Sequence, residues 1–374
     1  MRSFSHLLVV SRVSAGAIAL ALVAGAAPAV AASSAASSSS SKAPHLHHRG
    51  VLAAQWQGSE LSHGRIHNDQ FDFDDWGLTV DTAIMLAADG RQHRHLNRVT
   101  TAIRNNYYHH YATFAGNRIA GAMAKSLLVA KVLDQPVRHF GGRNVRRELL
   151  DLVVGGNGFE AGRLRDSGST DYSNTFGQAY GVLGLARTGG VPQSVVRYLV
   201  KHQCGPGYFG LDETPHQTCA EAGSPADTDA TALAVQALVA ARRSGADVST
   251  RRVKRATHWL LRTQHRNGSF GGGATTAGAN TNSTGVAAQA LALTHHPRAR
   301  ARAAAYVASL QLTHFNTAGT PARRDLGAIA YDVAAFRDAR RTGIQASERD
   351  QWRRATAEAF YALVPKSFVT ISAP

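Results

Sequence analysis

Six times along the chain an acidic or amide residue stands eleven positions ahead of a bulky apolar one, with small residues between. The pairs are Asp75 and Leu86, Asn117 and Leu128, Asn174 and Leu185, Asp227 and Leu238, Asn280 and Leu291, and Asp325 and Phe336. Successive anchors lie 42 to 57 residues apart, a period typical of repeat architectures and long enough for two helices with their loops. The pattern predicts six helical hairpins. An Asp or Asn at such a point can cap a helix, its side chain accepting from the otherwise unpaired amides of the first turn.

The clearest copies, residues 227–238 and 280–291, consist almost entirely of Ala, Gly, Val, Thr and Leu. Helices with so little bulk on any side can be surrounded by close neighbours, and are expected to be inner helices. The second helix of each unit is amphipathic, with Arg-rich faces such as residues 251–255 and 298–302, and is expected outside. After two of these helices a second signature recurs: Leu199-x3-Gln203-x3-Gly207-x-Phe209 and Leu260-x3-Gln264-x3-Gly268-x-Phe270. There Gly can end the helix in a left-handed turn while the aromatic folds back. Truncated versions stand at Gln311 and at Gly158-Phe159.

Together the two signatures resemble the terpenoid-cyclase and protein-prenyltransferase repeat superfamily. The Gln-x3-Gly-x-aromatic segments are similar to the structural motif of squalene-hopene cyclases, and the capped small-residue helices to their inner helices, over roughly residues 70 to 364. The resemblance implies an all-α fold, an α6/α6 toroid of six helical hairpins with parallel inner helices around a central cavity. Cobalamin carriers, complement thioester domains and polysaccharide-processing enzymes share that architecture, so the fold alone names no function. No thioester sequence of the Gly-Cys-Gly-Glu-Gln type is present.

Asp72-Phe73-Asp74-Asp75 matches the Asp-x-Asp-Asp string with which class II terpene cyclases protonate an alkene. Such chemistry needs a carboxyl held protonated among like charges. The register is displaced, however, because Asp75 is itself the anchor, which puts Asp72 and Asp74 ahead of the helix. The copy in register is Asp227-Thr228-Asp229-Ala230-Thr231-Ala232. By the resemblance Asp229 takes the position of the proton donor, but Ala230 replaces the third carboxylate. Asn280-Thr281-Asn282 repeats the spacing with amides, which cannot act as Brønsted acids.

Residues 1–31 read as a signal peptide: Arg2 and Arg12 precede a long Ala/Val/Leu run that ends in Ala29-Val30-Ala31. Residues 32–50, rich in Ser, Ala and His, read as a linker, and residues 51–374 as one toroid domain. The mature chain is expected to be secreted, with no transmembrane segment. Cys204 and Cys219, fifteen positions apart, read as a disulfide; a zinc site with His202 or His216 is the alternative. The net charge of +16 favours anionic cell-wall polymers as nonspecific partners, and no nucleic-acid motif accompanies it. No phosphate-cradling loop or Mg²⁺-binding carboxylate cluster is recognisable, and no cofactor or metal is expected.

If the inner helices are parallel, their N-termini share one rim. Trp76, Asp81, Tyr172, Asn174, Gln178, Asp227, Asn280 and Asn282 are then the candidate ligand-binding residues, with Asp229 the candidate catalytic acid. The run from Asn105 to Tyr111 is dense in acid-base side chains and reads as a helix end packing aromatics. Only 7% of residues are aromatic, so a smooth, weakly aromatic cavity is expected, better suited to holding a ligand than to steering a carbocation. These features favour noncatalytic binding of a hydrophobic, cobalamin-like or glycan ligand. The alternatives are a class II terpene cyclase acting through Asp229 and a cell-wall or protein interaction module.

Overall fold

The computed structural model describes residues 42–213 and 216–374; residues 1–31, expected to be a signal peptide, and the Ser-rich stretch lie outside them. In chain order the principal helices are α1 (Lys42–Ser59), α2 (Trp76–Asp89), α3 (His93–Tyr107), α4 (Ala120–Val132), α5 (Val145–Leu150), α6 (Thr175–Ala186) and α7 (Gln193–Lys201). There follow α8 (Thr228–Arg243), α9 (Thr250–Thr263), α10 (Thr281–Leu293), α11 (Pro297–Ser309), α12 (Val333–Thr342) and α13 (Arg349–Leu363). Helix α1 takes in residues 42–50, which the sequence assigns to the linker. Two small antiparallel sheets decorate the rim: β1 (Leu61–Ser62), β2 (Arg65–Asn68) and β3 (Phe73–Asp75) in that order, and β4 (Thr113–Phe114) with β5 (Asn117–Arg118).

Helices α2, α4, α6, α8, α10 and α13 each touch the next, and α13 touches α2, closing an inner ring. Their first turns stand side by side: Ser283 of α10 bonds Asp229 of α8, Gly121 of α4 faces Gly177 of α6, and Arg354 of α13 pairs with Asp75 ahead of α2. The odd-numbered helices α1 to α11 alternate with them in the chain, giving an α6/α6 toroid. Four anchors cap inner helices as expected, Asp75, Asn174, Asp227 and Asn280 each accepting an amide three residues on.

Two anchors do not. Asn117 lies in β5, and the cap of α4 comes from Asp166, whose Oδ1 accepts Ala120 N–H at 2.7 Å. Asp325 ends a 3₁₀ turn, Phe336 falls on the extra helix α12, and the sixth inner helix is α13. Asp325 instead accepts from the Trp56 indole at 3.2 Å and from Arg349 at 2.9 Å.

A network centred on the Gln-Gly signature joins the units. The Nε2 of Gln203, Gln264 and Gln311 donates at 3.0 Å to the carbonyl of Gly207, Gly268 and Gly327, and at 2.9 Å to Arg252, Ala299 and Arg49 on the next outer helix. Gln178 makes the same pair of bonds to Gly162 and Val195. Two residues past each glycine, the N–H of Leu164, Phe209, Phe270 and Ile329 donates at 2.9 Å to the inner helix, to Gln178, Thr231, Thr284 and Thr356. Gly268 has φ +92°, and a Cβ there would strike the Arg302 carbonyl, so the loop rests directly on the outer helix.

The last staple, Gln311 to Arg49, reaches α1 and thereby closes the circle. An ion-pair clasp reinforces it: the buried Glu60 carboxylate lies 2.6 Å from Arg349 and 2.8 Å from Arg353. Replacing Gln264 by Ala leaves the Gly268 carbonyl without this donor and removes the link to Ala299, and is expected to lower stability by about 1–3 kcal/mol in urea titration. Cys204 and Cys219 are joined. Reducing that bond is expected to lower stability by about 3 kcal/mol on chain-entropy grounds, measured with and without a thiol.

Candidate functional site

The first turns of α2, α4 and α6, with the segments that lead into them, surround an open cleft of roughly 1170 Å³. Its walls are aromatic: Phe73, Trp76, Tyr111, Phe114, Phe176 and Tyr180 all line it, and Tyr172 stands half-exposed at the mouth. Trp76 stacks on His110 with centroids 5.8 Å apart. The chain-wide aromatic content therefore misleads, since these seven aromatic side chains gather around one cleft. His110 and Tyr111 belong to the run expected only to pack a helix end, whereas Tyr107 does pack, against Phe140.

Polar groups form the floor. Lys125, in the second turn of α4, lies 2.6 Å from Asp81 of α2 and 5.4 Å from the Tyr180 ring centre. Burial alone would lower the lysine's pKa, but Asp81 and the two tyrosines raise it well above its ordinary value. The Tyr111 hydroxyl is pushed up to about 12 by burial and by Asp81 and Asp75, against the opposing pull of Lys125. Lys125 is therefore a fixed charge and the tyrosines stay protonated.

The loop ahead of α6 is built by carboxylates. Asp166 Oδ2 accepts Tyr172 N–H at 2.9 Å while its Oδ1 caps α4, and Asp171 Oδ1 accepts Ser173 N–H at 3.1 Å and Ser173 Oγ–H at 2.7 Å. Tyr172 is thus carried on a turn whose backbone is already tied to the neighbouring helix.

A second cluster sits on α8, α10 and α13. Asp227 caps α8, and Asp229 Oδ2 accepts Ser283 Oγ–H at 3.1 Å while its buried Oδ1 has no partner among the described residues. Burial, then Asp227 and Glu358, hold the Asp229 carboxyl well above the ordinary carboxylate range. Glu358 of α13 is pushed up to about 7 by burial and by Asp81, against Lys125, Arg354 and the Asn282 amide. The Gly271-Gly272-Gly273 run covers the pair: a Cβ on Gly272 would lie 3.2 Å from Asp229 Oδ2, and one on Gly273 would collide with Asp227. Asp229 does not line the aromatic cleft.

The expected rim residues therefore divide. Trp76, Tyr172 and Asn174 line the cleft, and Asp81 pairs with its Lys125. Gln178 is 1% exposed and spends its amide on the staple bonds, and Asn280 is equally buried, its Oδ1 capping α10 and its amide donating to Thr276 and Gly278. Both are structural. Asn282 is partly buried beside Glu358, with Oδ1 unpartnered. Of the Asp72–Asp75 string, Asp75 caps α2, Asp74 pairs with Arg65 at 2.6 Å, and Asp72 is exposed at φ +51°. Lys125 and Glu358 escaped sequence reasoning, although each stands among Ala residues in the middle of an inner helix.

No family model and no curated protein matches the chain. Among solved structures it is similar to a variant of the type II terpene cyclase MstE from Scytonema (15% identity, TM-score 0.58, covering 87% of this chain and 98% of that one). It is likewise similar to a protein from Actinoplanes (16%, 0.55, 86% and 98%) and to a glycosyl hydrolase of family 88 from Bacteroides vulgatus (12%, 0.52, 88% and 99%). These likenesses define the class of fold, an α/α toroid.

Because Glu358 holds its proton more tightly in the folded than in the unfolded chain, its contribution to stability is present below its ordinary value of 4.5 and lost as pH rises through about 7. Between pH 5 and pH 8 the wild type is expected to lose on the order of 1–3 kcal/mol that Glu358→Gln retains. Urea titrations of both proteins at the two pH values check this.

Proposed function

We propose that this chain is an exported toroid that holds a ligand in the aromatic cleft on its N-terminal rim, binding the ligand without transforming it. The observation that carries this reading is the cleft itself, an apolar-walled concavity with a few convergent polar groups. Its separation from Asp229 favours binding over proton-initiated chemistry. Three ligand chemistries fit a toroid: an apolar chain, a corrinoid and a glycan. MstE takes geranylgeranyl dihydroxybenzoate as substrate and the family 88 protein is a glycosyl hydrolase, so the fold serves both terpenoid and sugar chemistry.

One observation favours a second reading, Brønsted acid catalysis. Asp229 stands in register with the proton donor of the cyclases the chain resembles, and burial with Asp227 and Glu358 raises its pKa well above the ordinary carboxylate range. Glu358 supplies, from another helix, a like charge that the Ala230 position lacks.

Native mass spectrometry of protein purified from culture medium tests the binding reading. A discrete ligand is expected, with occupancy reduced in Trp76→Ala. The reading is overturned if the protein converts squalene-like polyenes and Asp229→Asn abolishes that turnover.

A further inference from the structure

The three ligand chemistries make different demands on the cleft, and the side chains on its walls discriminate among them. Lys125 is the one Lys or Arg lining it among the described residues, and it is already held by Asp81 at 2.6 Å. Arg354, nearby, is committed to Asp75 and Asp350. The carboxylates Asp74, Asp75 and Asp166 also line the cleft. An incoming carboxylate or phosphate would meet no free cation and would face these acids, despite the positive charge of the molecule as a whole. An unbranched hydrocarbon would have to desolvate the Lys125–Asp81 pair without offering it a hydrogen bond, which is unfavourable.

What remains is a neutral ring carrying hydroxyl groups. Flat apolar faces of such rings stack on aromatic side chains, and the mouth supplies two, Tyr172 and Phe114, both exposed at 50% and 39%. Large apolar side chains this exposed are few among the described residues, and two of them face the same cleft. The hydroxyls of Tyr111, Tyr172 and Tyr180 bond nothing within the described protein, leaving donors and acceptors for a polyol. Tyr172 is also pre-positioned: Asp166 and Asp171 fix its backbone, so little ordering is needed on binding.

We infer that the cleft binds a neutral saccharide chain, with Tyr172 and Phe114 as stacking platforms at its mouth and the tyrosine hydroxyls and the Lys125–Asp81 pair reading sugar hydroxyls within. This rests on the cleft's being a ligand site. Neither aromatic platform belongs to the core or to the staple network, so removing them probes binding and not folding.

The test is isothermal titration of the full mature protein with xylohexaose, cellohexaose, mannohexaose and chitohexaose, alongside hexagalacturonate, geranylgeraniol and cyanocobalamin. The expected result is binding of at least one neutral oligosaccharide, weakened tenfold or more in Tyr172→Ala and in Phe114→Ala with unchanged thermal midpoints. Tighter binding of hexagalacturonate overturns the inference of neutrality. Binding of geranylgeraniol or cyanocobalamin in place of the neutral sugars, sensitive to Trp76→Ala, overturns the saccharide assignment and leaves the cleft a ligand site. An absence of binding by every probe overturns both.

Discussion

The glutamine staple is the contact on which the toroid depends. One side-chain amide supplies the loop glycine's carbonyl with its donor and adds a second bond to a carbonyl on the next outer helix. The glycine it grips must lack a side chain, because the loop lies against the backbone of that helix. Each staple therefore fixes the angle between successive hairpins, and repeating it bends the array until the last staple meets α1. The small residues of the inner ring follow from the same curvature: six helices meeting around one axis leave room for Ala, Gly and Thr and for little else.

That ring sets the chemistry of the rim. Bringing six helix N-termini together concentrates unpaired amides and positive end potential on one face, and the chain answers with acids: Asp75, Asp166 and Asp227 take up amides at helix starts. Where acids exceed the amides available, as with Asp229 and Glu358, burial and neighbouring carboxylates raise their pKa values. The acidity of the rim is thus in part a structural requirement, and any use of Asp229 as an acid builds on a condition the fold already imposes.

Much of the architecture was legible because its signals are local. A cap is read within four residues, and Asp75, Asn174, Asp227 and Asn280 were found that way. Asn117 and Asp325 failed for a physical reason. The amide that Asn117 might have taken is served by Asp166 from a distant loop, and α13 has Trp352 where an acid was expected, its register marked only by Thr356 bonding Ile329. The site was less legible. Its aromatic walls come from three separate helix starts and the segments that lead into them, so average composition hid their clustering, and Gln178 looked like a rim ligand because a buried staple and an exposed contact use the same amide. The charges of Lys125 and Glu358 were visible in the sequence, but a charge is informative only once its neighbours are known, and Asp81 beside Lys125 and Asp229 beside Glu358 lie on other helices.

The closure of the ring through α1 has a consequence for how the molecule comes into being. The first helix of the toroid to be synthesised has its partners, Gln311, Arg349 and Arg353, among the last parts of the chain. Until those segments emerge, the side of α1 that meets α13 and the acid Glu60 just past its end have nothing to meet. The array can grow hairpin by hairpin, but it becomes a closed object only at completion, so an incomplete chain is an open arc with two unmatched ends.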